Sequence, residues 1–114
     1  MNVLFVYGSL KRGQANHWAL AGARFVGPAR TAPAFALREI AGYPALVPGE
    51  RSIAGELYQI SAQGLGALDE LESDDYARCE ITLADGATAF AYLARAPEGG
   101  RPLAGSEWPP SRWN

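Results

Sequence analysis

The sequence predicts an α+β fold: a small mixed, β-barrel-like sheet flanked by short helices. Three observations carry that expectation. Most patterned segments are short runs that alternate or stay apolar over the length of a strand. Only residues 61–72 repeat their apolar side chains at helical spacing over several turns. Asp85-Gly86 lies between two alternating runs, which is the signature of a hairpin. A majority of strands with helices confined to two places suits a curled sheet packed on a helix.

Taken in order, Val3-Leu4-Phe5-Val6-Tyr7 is a continuous β-branched and aromatic run, expected as a buried strand. Gly8-Ser9 breaks it, and residues 10–13 form a loop. Asn16 can cap a short helix carrying His17, Trp18, Ala19 and Leu20. Gly27-Pro28 is expected to interrupt a second extended region. Residues 34–40 read as a further strand, and Gly42-Tyr43-Pro44 as a turn into Ala45-Leu46-Val47. Residues 52–60 alternate as a strand whose end carries Gly55-Glu56-Leu57-Tyr58.

Ser61 is the expected N-cap of a helix ending near Glu72. Gly64 and Gly66 weaken that helix by roughly 1 kcal/mol each, so it must rely on packing. Residues 78–83 set Cys79, Ile81 and Leu83 against Arg78, Glu80 and Thr82. Asp85-Gly86 then turns the chain into a strand over residues 88–93. Past Ala96 the composition becomes rich in Pro and Gly, with Trp108 and Trp113 expected to pin the tail. No repeat and no linker divides the chain, so its 114 residues read as a single domain.

Composition excludes several classes of function. With 48% hydrophobic residues the chain can build a core. Ten basic against twelve acidic residues give a net charge of −2, and the longest basic cluster is Lys11-Arg12. A nucleic-acid partner, which needs clustered positive charge, is not expected. Cys79 and His17 are the only residues of their types, which leaves no internal disulfide and no Cys/His zinc set. No apolar stretch approaches the ~20 residues of a membrane span, and a strand-like run begins at once where a signal peptide would stand. The expectation is a cytoplasmic protein with no membrane partner, a monomer or weak homodimer.

Glu72 draws attention first. At about 100° per residue, Leu65, Leu68 and Leu71 define one face of the helix, and Glu72 falls inside it. Asp69 borders that face and Glu70 points away, which suits a solvated edge. A carboxylate turned toward an apolar interior is costly to ionise unless it has a partner or a task. Two roles fit: a functional acid or base, or an end-of-helix glutamate paired with Arg78 or bent to solvent.

Tyr7-Gly8-Ser9-Leu10 is the second candidate. Gly8 permits a sharp turn and a close ligand approach, and successive N–H groups in such a turn can bind an anion; a plain strand-ending turn fits as well. The loop is not a phosphate loop, since Gln14-Ala15 follows Gly13. Nor is it a serine-nucleophile elbow, since Tyr7 and Lys11 stand where glycines are required.

Tyr7-Gly8-Ser9-Leu10, Gly42-Tyr43-Pro44-Ala45, Gly55-Glu56-Leu57-Tyr58, Leu68-Asp69 with Glu72, and Tyr76 with Arg78 occur in this order over residues 3–93. Together they resemble the gamma-glutamyl cyclotransferase-like family, and the Gly105-Ser106-Glu107-Trp108 tail is similar to that of its short bacterial members. The resemblance implies a small barrel-like sheet flanked by helices and a gamma-glutamyl substrate cyclised to 5-oxoproline. It implies that Tyr7, Gly8, Ser9 and Leu10 bind the glutamyl end and that Glu72 is the acid/base, with Tyr43, Tyr76 and Arg78 in the pocket wall. No metal or organic cofactor is implied. Many members carry Gly after that glutamate; here it is Ser73. A non-catalytic module of the same fold, binding a small metabolite, is the alternative.

Overall fold

The N-terminal apolar run becomes strand β1, Asn2–Val6, in a computed structural model that describes residues 2–72 and 74–109. Successive side chains of a strand face opposite ways, and β1 is buried on both faces. Leu4 and Val6 join one core cluster with Tyr58, Ile60, Leu65, Leu68 and Tyr92. Phe5 joins the other with Tyr7, Leu37, Leu46, Ile53, Ile81 and Ala91. Ser73 and Trp113, both noted in the sequence, lie outside the described residues.

A one-turn 3-10 helix, His17–Leu20, follows β1. Then come β2 (Arg24–Arg30), β3 (Phe35–Ile40), β4 (Tyr43–Pro48) and β5 (Ala54–Ile60). Helix α1 (Ala62–Glu72) leads to β6 (Tyr76–Thr82), β7 (Thr88–Ala94) and β8 (Arg101–Leu103). The strands form one mixed, curled sheet in the order β2-β5-β1-β7-β4-β3-β8, with β6 also paired to β7. The α+β expectation is therefore met, with one α-helix among the described residues and a 3-10 turn in place of the second helix.

Helix α1 starts where Ser61 Oγ accepts the N–H of Gly64 at 3.0 Å, the expected cap. Its two glycines cost about 2 kcal/mol together, whereas burying Leu65 and Leu68 contributes roughly 1.5–3 kcal/mol each. Packing therefore wins. Leu71 does not share that burial: it is 48% exposed. The apolar face thus ends at Leu68, and the last turn leaves the core.

Other expectations needed revision too, among them the turn expected at Gly42-Tyr43-Pro44, which is made by Ala41 and Gly42 with Tyr43 and Pro44 already in β4. Gly27-Pro28 does not interrupt β2, which runs through both residues with a bulge between Phe25 and Gly27. Pro28 is tolerated because β2 pairs only with β5, so the missing donor can fall on the free edge. The Pro- and Gly-rich tail supplies a short strand, β8, held against β3 with Leu37 opposite Leu103. Asn16 precedes the 3-10 turn without capping it by its side chain, which goes elsewhere.

The pairing of β7 creates the feature that positions the site. One edge of β7 is taken along its length by β6, from Tyr76 opposite Ala94 to Thr82 opposite Thr88. The other edge is shared: β1 meets it in parallel at Phe90, and β4 meets it in parallel at Leu93. Two strands cannot occupy one edge together, so the end of β1 and the start of β4 must splay apart. Pro44 suits that fork. The β3–β4 hairpin turns through Ala41 and Gly42, both at positive φ, as a two-residue turn. Ladder alternation then turns the nitrogen of Pro44, which has no hydrogen, away from β3 and toward the opening.

Candidate active site

The fork opens into a cleft of about 350 Å³, at the small end of the range for small-molecule sites. It is lined by Tyr7, Gly8, Ser9, Leu10, Tyr43, Tyr76 and Glu72 from the sequence reading. Asn16, Pro44, Leu71, Asp74, Asp75 and Tyr92 also line it. Arg78 does not. It lies on β6 beside Asp69, at 3.4 Å, with its guanidinium 5.0 Å from the Phe90 ring centre. The Arg78–Glu72 pairing weighed from the sequence is thus replaced by an Arg78–Asp69 pair, and Asp69 is no idle solvated edge. A larger hollow elsewhere holds Arg38 and Arg51, but both donate to backbone carbonyls, at 2.6 Å to Gly99 and 3.0 Å to Gly105.

The loop after β1 forms one wall. A Cβ on Gly8 would collide with the Pro44 ring, so this close crossing of loop and β4 requires glycine. The loop folds back on itself. Gly8 O accepts Lys11 N–H at 3.0 Å and Ser9 O accepts Asn16 N–H at 2.9 Å. Asn16 Nδ2 donates to Ser9 Oγ at 3.0 Å, which is where the expected capping side chain went. His17 Nδ1 lies 2.9 Å from Leu10 O and donates to it from the tautomer, or the cation, that carries a proton there. Glu56 fastens the loop from β5, accepting Arg12 N–H at 3.0 Å and the Tyr58 hydroxyl at 3.1 Å. Its neighbour Gly55 admits the chain beneath β1, where a Cβ would strike Val6 O and the Phe5 ring.

Tyr7 is less a wall than a bolt across the fork. Its buried hydroxyl donates to Tyr92 O at 2.6 Å and accepts Leu46 N–H at 3.0 Å, joining β7 to β4. Burial pushes that phenol well above its usual pKa, with the Tyr76 and Glu72 charges adding to the rise.

Glu72 closes α1 and lines the same cleft. It stands at the negative end of the helix dipole, with no basic residue in the last turn. Burial raises its carboxyl above the ordinary value, and the Asp75 charge adds to the rise. Among the described residues none donates a hydrogen bond to it. The phenols nearby are committed elsewhere: Tyr76 donates to Pro44 O at 2.8 Å and Tyr92 to Asp69 Oδ1 at 2.7 Å. Tyr76 is itself pushed up to about 12 by burial and by the charges of Glu72, Asp75 and Tyr43. Tyr92 is raised by burial and by its bond to Asp69. The arrangement offers a carboxylate of raised proton affinity, without a hydrogen-bond partner among the described residues, in the same cleft as the loop after β1, which is equipment for proton transfer on a small polar ligand. Among the described residues no three His, Cys, Asp or Glu side chains converge as a metal set.

Comparison with known proteins gives the family. The family model described as gamma-glutamyl cyclotransferase, AIG2-like matches residues 4–110, so the chain belongs to that family. A Vibrio cholerae protein named provisionally as a gamma-glutamylcyclotransferase is 37% identical over 94 residues, covering 81% of each chain. The Escherichia coli K12 gamma-glutamylcyclotransferase family protein YtfP is 35% identical over 103 residues, covering 88% of each. Among solved structures, an AIG2-like protein from Mus musculus superposes with a TM-score of 0.75 at 33% identity, covering 86% of this chain and 81% of its own.

Sequence reasoning missed Asn16 and Tyr92 as lining residues. The short spacing from Ser9 to Asn16 was a usable signal for the first, since a tight loop brings such neighbours together. Tyr92 had none, because its place depends on which strands share the edge of β7.

Proposed function

We propose that the protein is a gamma-glutamyl cyclotransferase that forms 5-oxoproline, with Glu72 as general acid/base. The observation that carries this reading is a carboxylate of raised pKa, without a hydrogen-bond partner among the described residues, in the same small cleft as residues 8–10. Lys11 N–H is already given to Gly8 O. The carbonyls of Gly8 and Ser9 are engaged within the loop, which supports the N–H groups of Ser9 and Leu10, at the other side of those two peptides, as the donors to a ligand. Those amides and the Ser9 hydroxyl, with Asn16 donating to its oxygen, receive the α-carboxylate of the glutamyl unit. Tyr43 and Tyr76 border the side from which the rest of the substrate extends.

In the reaction Glu72 removes a proton from the substrate α-amine. The freed nitrogen attacks the γ-carbonyl carbon of the same molecule, and the new C–N bond closes the five-membered ring. The old amide C–N bond breaks as the intermediate collapses. Glu72 returns the proton to the departing amine. The sum is one gamma-glutamyl amide giving one 5-oxoproline and one amine, with no water, redox change or cofactor consumed. Because nucleophile and electrophile belong to one molecule, orientation supplies much of the rate, up to ~7–11 kcal/mol in the best cases. A raised pKa brings the acid and base forms of one carboxyl closer to equal use near neutral pH.

Purified protein incubated with a mixed library of gamma-glutamyl amines and peptides is expected to yield 5-oxoproline, detected by mass spectrometry. Tight binding of library members without any 5-oxoproline would instead establish a non-catalytic metabolite-binding module.

A further inference from the structure

Asp69 sits one turn before Glu72, so the two side chains are neighbours on α1. Its two oxygens take two different partners. Oδ1 accepts the Tyr92 hydroxyl at 2.7 Å, and that hydroxyl also reaches Leu65 O at 3.3 Å. Oδ2 faces Arg78 Nη2 at 3.4 Å. The guanidinium also lies over the Phe90 ring, 5.0 Å from its centre. A cation and a phenolic donor are therefore both engaged by the carboxylate one turn before Glu72.

The other groups around Glu72 are equally unhelpful as partners. From just after β1, the Tyr7 hydroxyl is given to Tyr92 O; from β6, the Tyr76 hydroxyl is given to Pro44 O. From β4 comes Tyr43, and from the turn before β6 come Asp74 and Asp75, which bring only negative charge. The hydroxyls of Tyr7, Tyr76 and Tyr92 and the Arg78 guanidinium are thus engaged elsewhere, while Glu72 lines the cleft.

Resting on the proposed function, we propose that Asp69 is a positioning residue, a decoy carboxylate that takes Arg78 and the Tyr92 hydroxyl so that Glu72 stays unpaired and able to shuttle a proton. Arg78 then serves the site by being kept out of it. This also accounts for the aspartate three residues before the glutamate. An alanine at that position would free Arg78 to swing one helical turn and pair with Glu72. An ion pair of that kind typically lowers a carboxyl pKa by 1–3 units.

The test is a double-mutant cycle read by NMR titration of the side-chain carboxyl of Glu72, in the free protein, beside the pH profile of turnover. Asp69→Ala is expected to lower the titration midpoint of Glu72 by about one unit. The acid limb of the rate profile should move with it, and kcat should fall more than KM rises. In the Arg78→Gln background the same substitution should move the midpoint by much less, because the cation that would replace Asp69 is gone. Asp69→Asn, which keeps the shape and an acceptor for Tyr92, covers the case in which alanine loosens the helix; its shift should have the same sign and a smaller size. Equal shifts with and without Arg78, or no shift in a folded Asp69→Asn variant, would overturn the proposal. The titration does not depend on turnover. Absence of 5-oxoproline from the parent protein would refute the enzymatic reading while leaving the sequestration of Arg78 open to the same measurement.

Discussion

Glu72 is the residue on which chemistry and stability pull in opposite directions. Its carboxyl is raised by burial and then by Asp75, so the folded state binds its proton more tightly than the unfolded chain does. The stabilisation from that proton is complete below the ordinary carboxyl value of 4.5 and is lost as pH rises through the folded value. At neutral pH the ionised group is a net cost. Glu72→Gln is therefore expected to raise Tm at pH 7 by roughly 1–3 °C and to have no such advantage near pH 4, as thermal melts at the two pH values would show. A lower Tm at pH 7 would mean that the carboxylate has a favourable partner after all. This residue was legible in the sequence because helical periodicity needs no tertiary information. Arg78 was not legible in the same way. Its partner is fixed by the register of β6 on β7 and by the Phe90 face, neither of which six residues of local spacing can reveal.

At the level of elements, the segments that were legible are those whose structure is decided locally. β1 followed from its apolar run, α1 from the Leu65–Leu68 spacing and the Ser61 cap, and the β6–β7 hairpin from Asp85-Gly86, with Gly86 at φ 89° and Asp85 accepting Ala87 N–H at 2.9 Å. β8 was hidden because its Pro102 and flanking glycines favour loops, and only pairing with β3 makes it a strand. Trp108, expected to pin the tail, packs against the second core cluster. Two substitutions probe how the elements hold the cleft. Tyr7→Phe removes the bolt between β4 and β7 and leaves the buried Leu46 N–H without its acceptor. It is expected to cost about 1–3 kcal/mol in chemical denaturation and to weaken ligand binding with the widened fork. Gly8→Ala forces the loop off Pro44 and is expected to cost a similar amount, roughly 1–3 kcal/mol, with a larger loss of turnover than of stability. A Gly8→Ala variant of full activity would show that the close crossing does not shape the site.

The whole molecule places its candidate site where a single strand edge serves two neighbours. β1 and β4 each hold part of β7, and the divergence between them is the cleft. Parallel pairings with distant partners are the least local information in a chain, so the sequence could name Tyr7-Gly8-Ser9-Leu10 and Glu72 without explaining why they line one cleft. The proposed role of Glu72 in that cleft is the central claim, and one comparison tests it most directly. Turnover of a gamma-glutamyl substrate and binding of 5-oxoproline would be measured side by side for the parent protein and for Glu72→Gln. The account predicts that the variant binds within a few-fold of the parent and forms 5-oxoproline at least ~100-fold more slowly, the loss expected for removal of a general acid/base. Turnover by Glu72→Gln at the parent rate would contradict it.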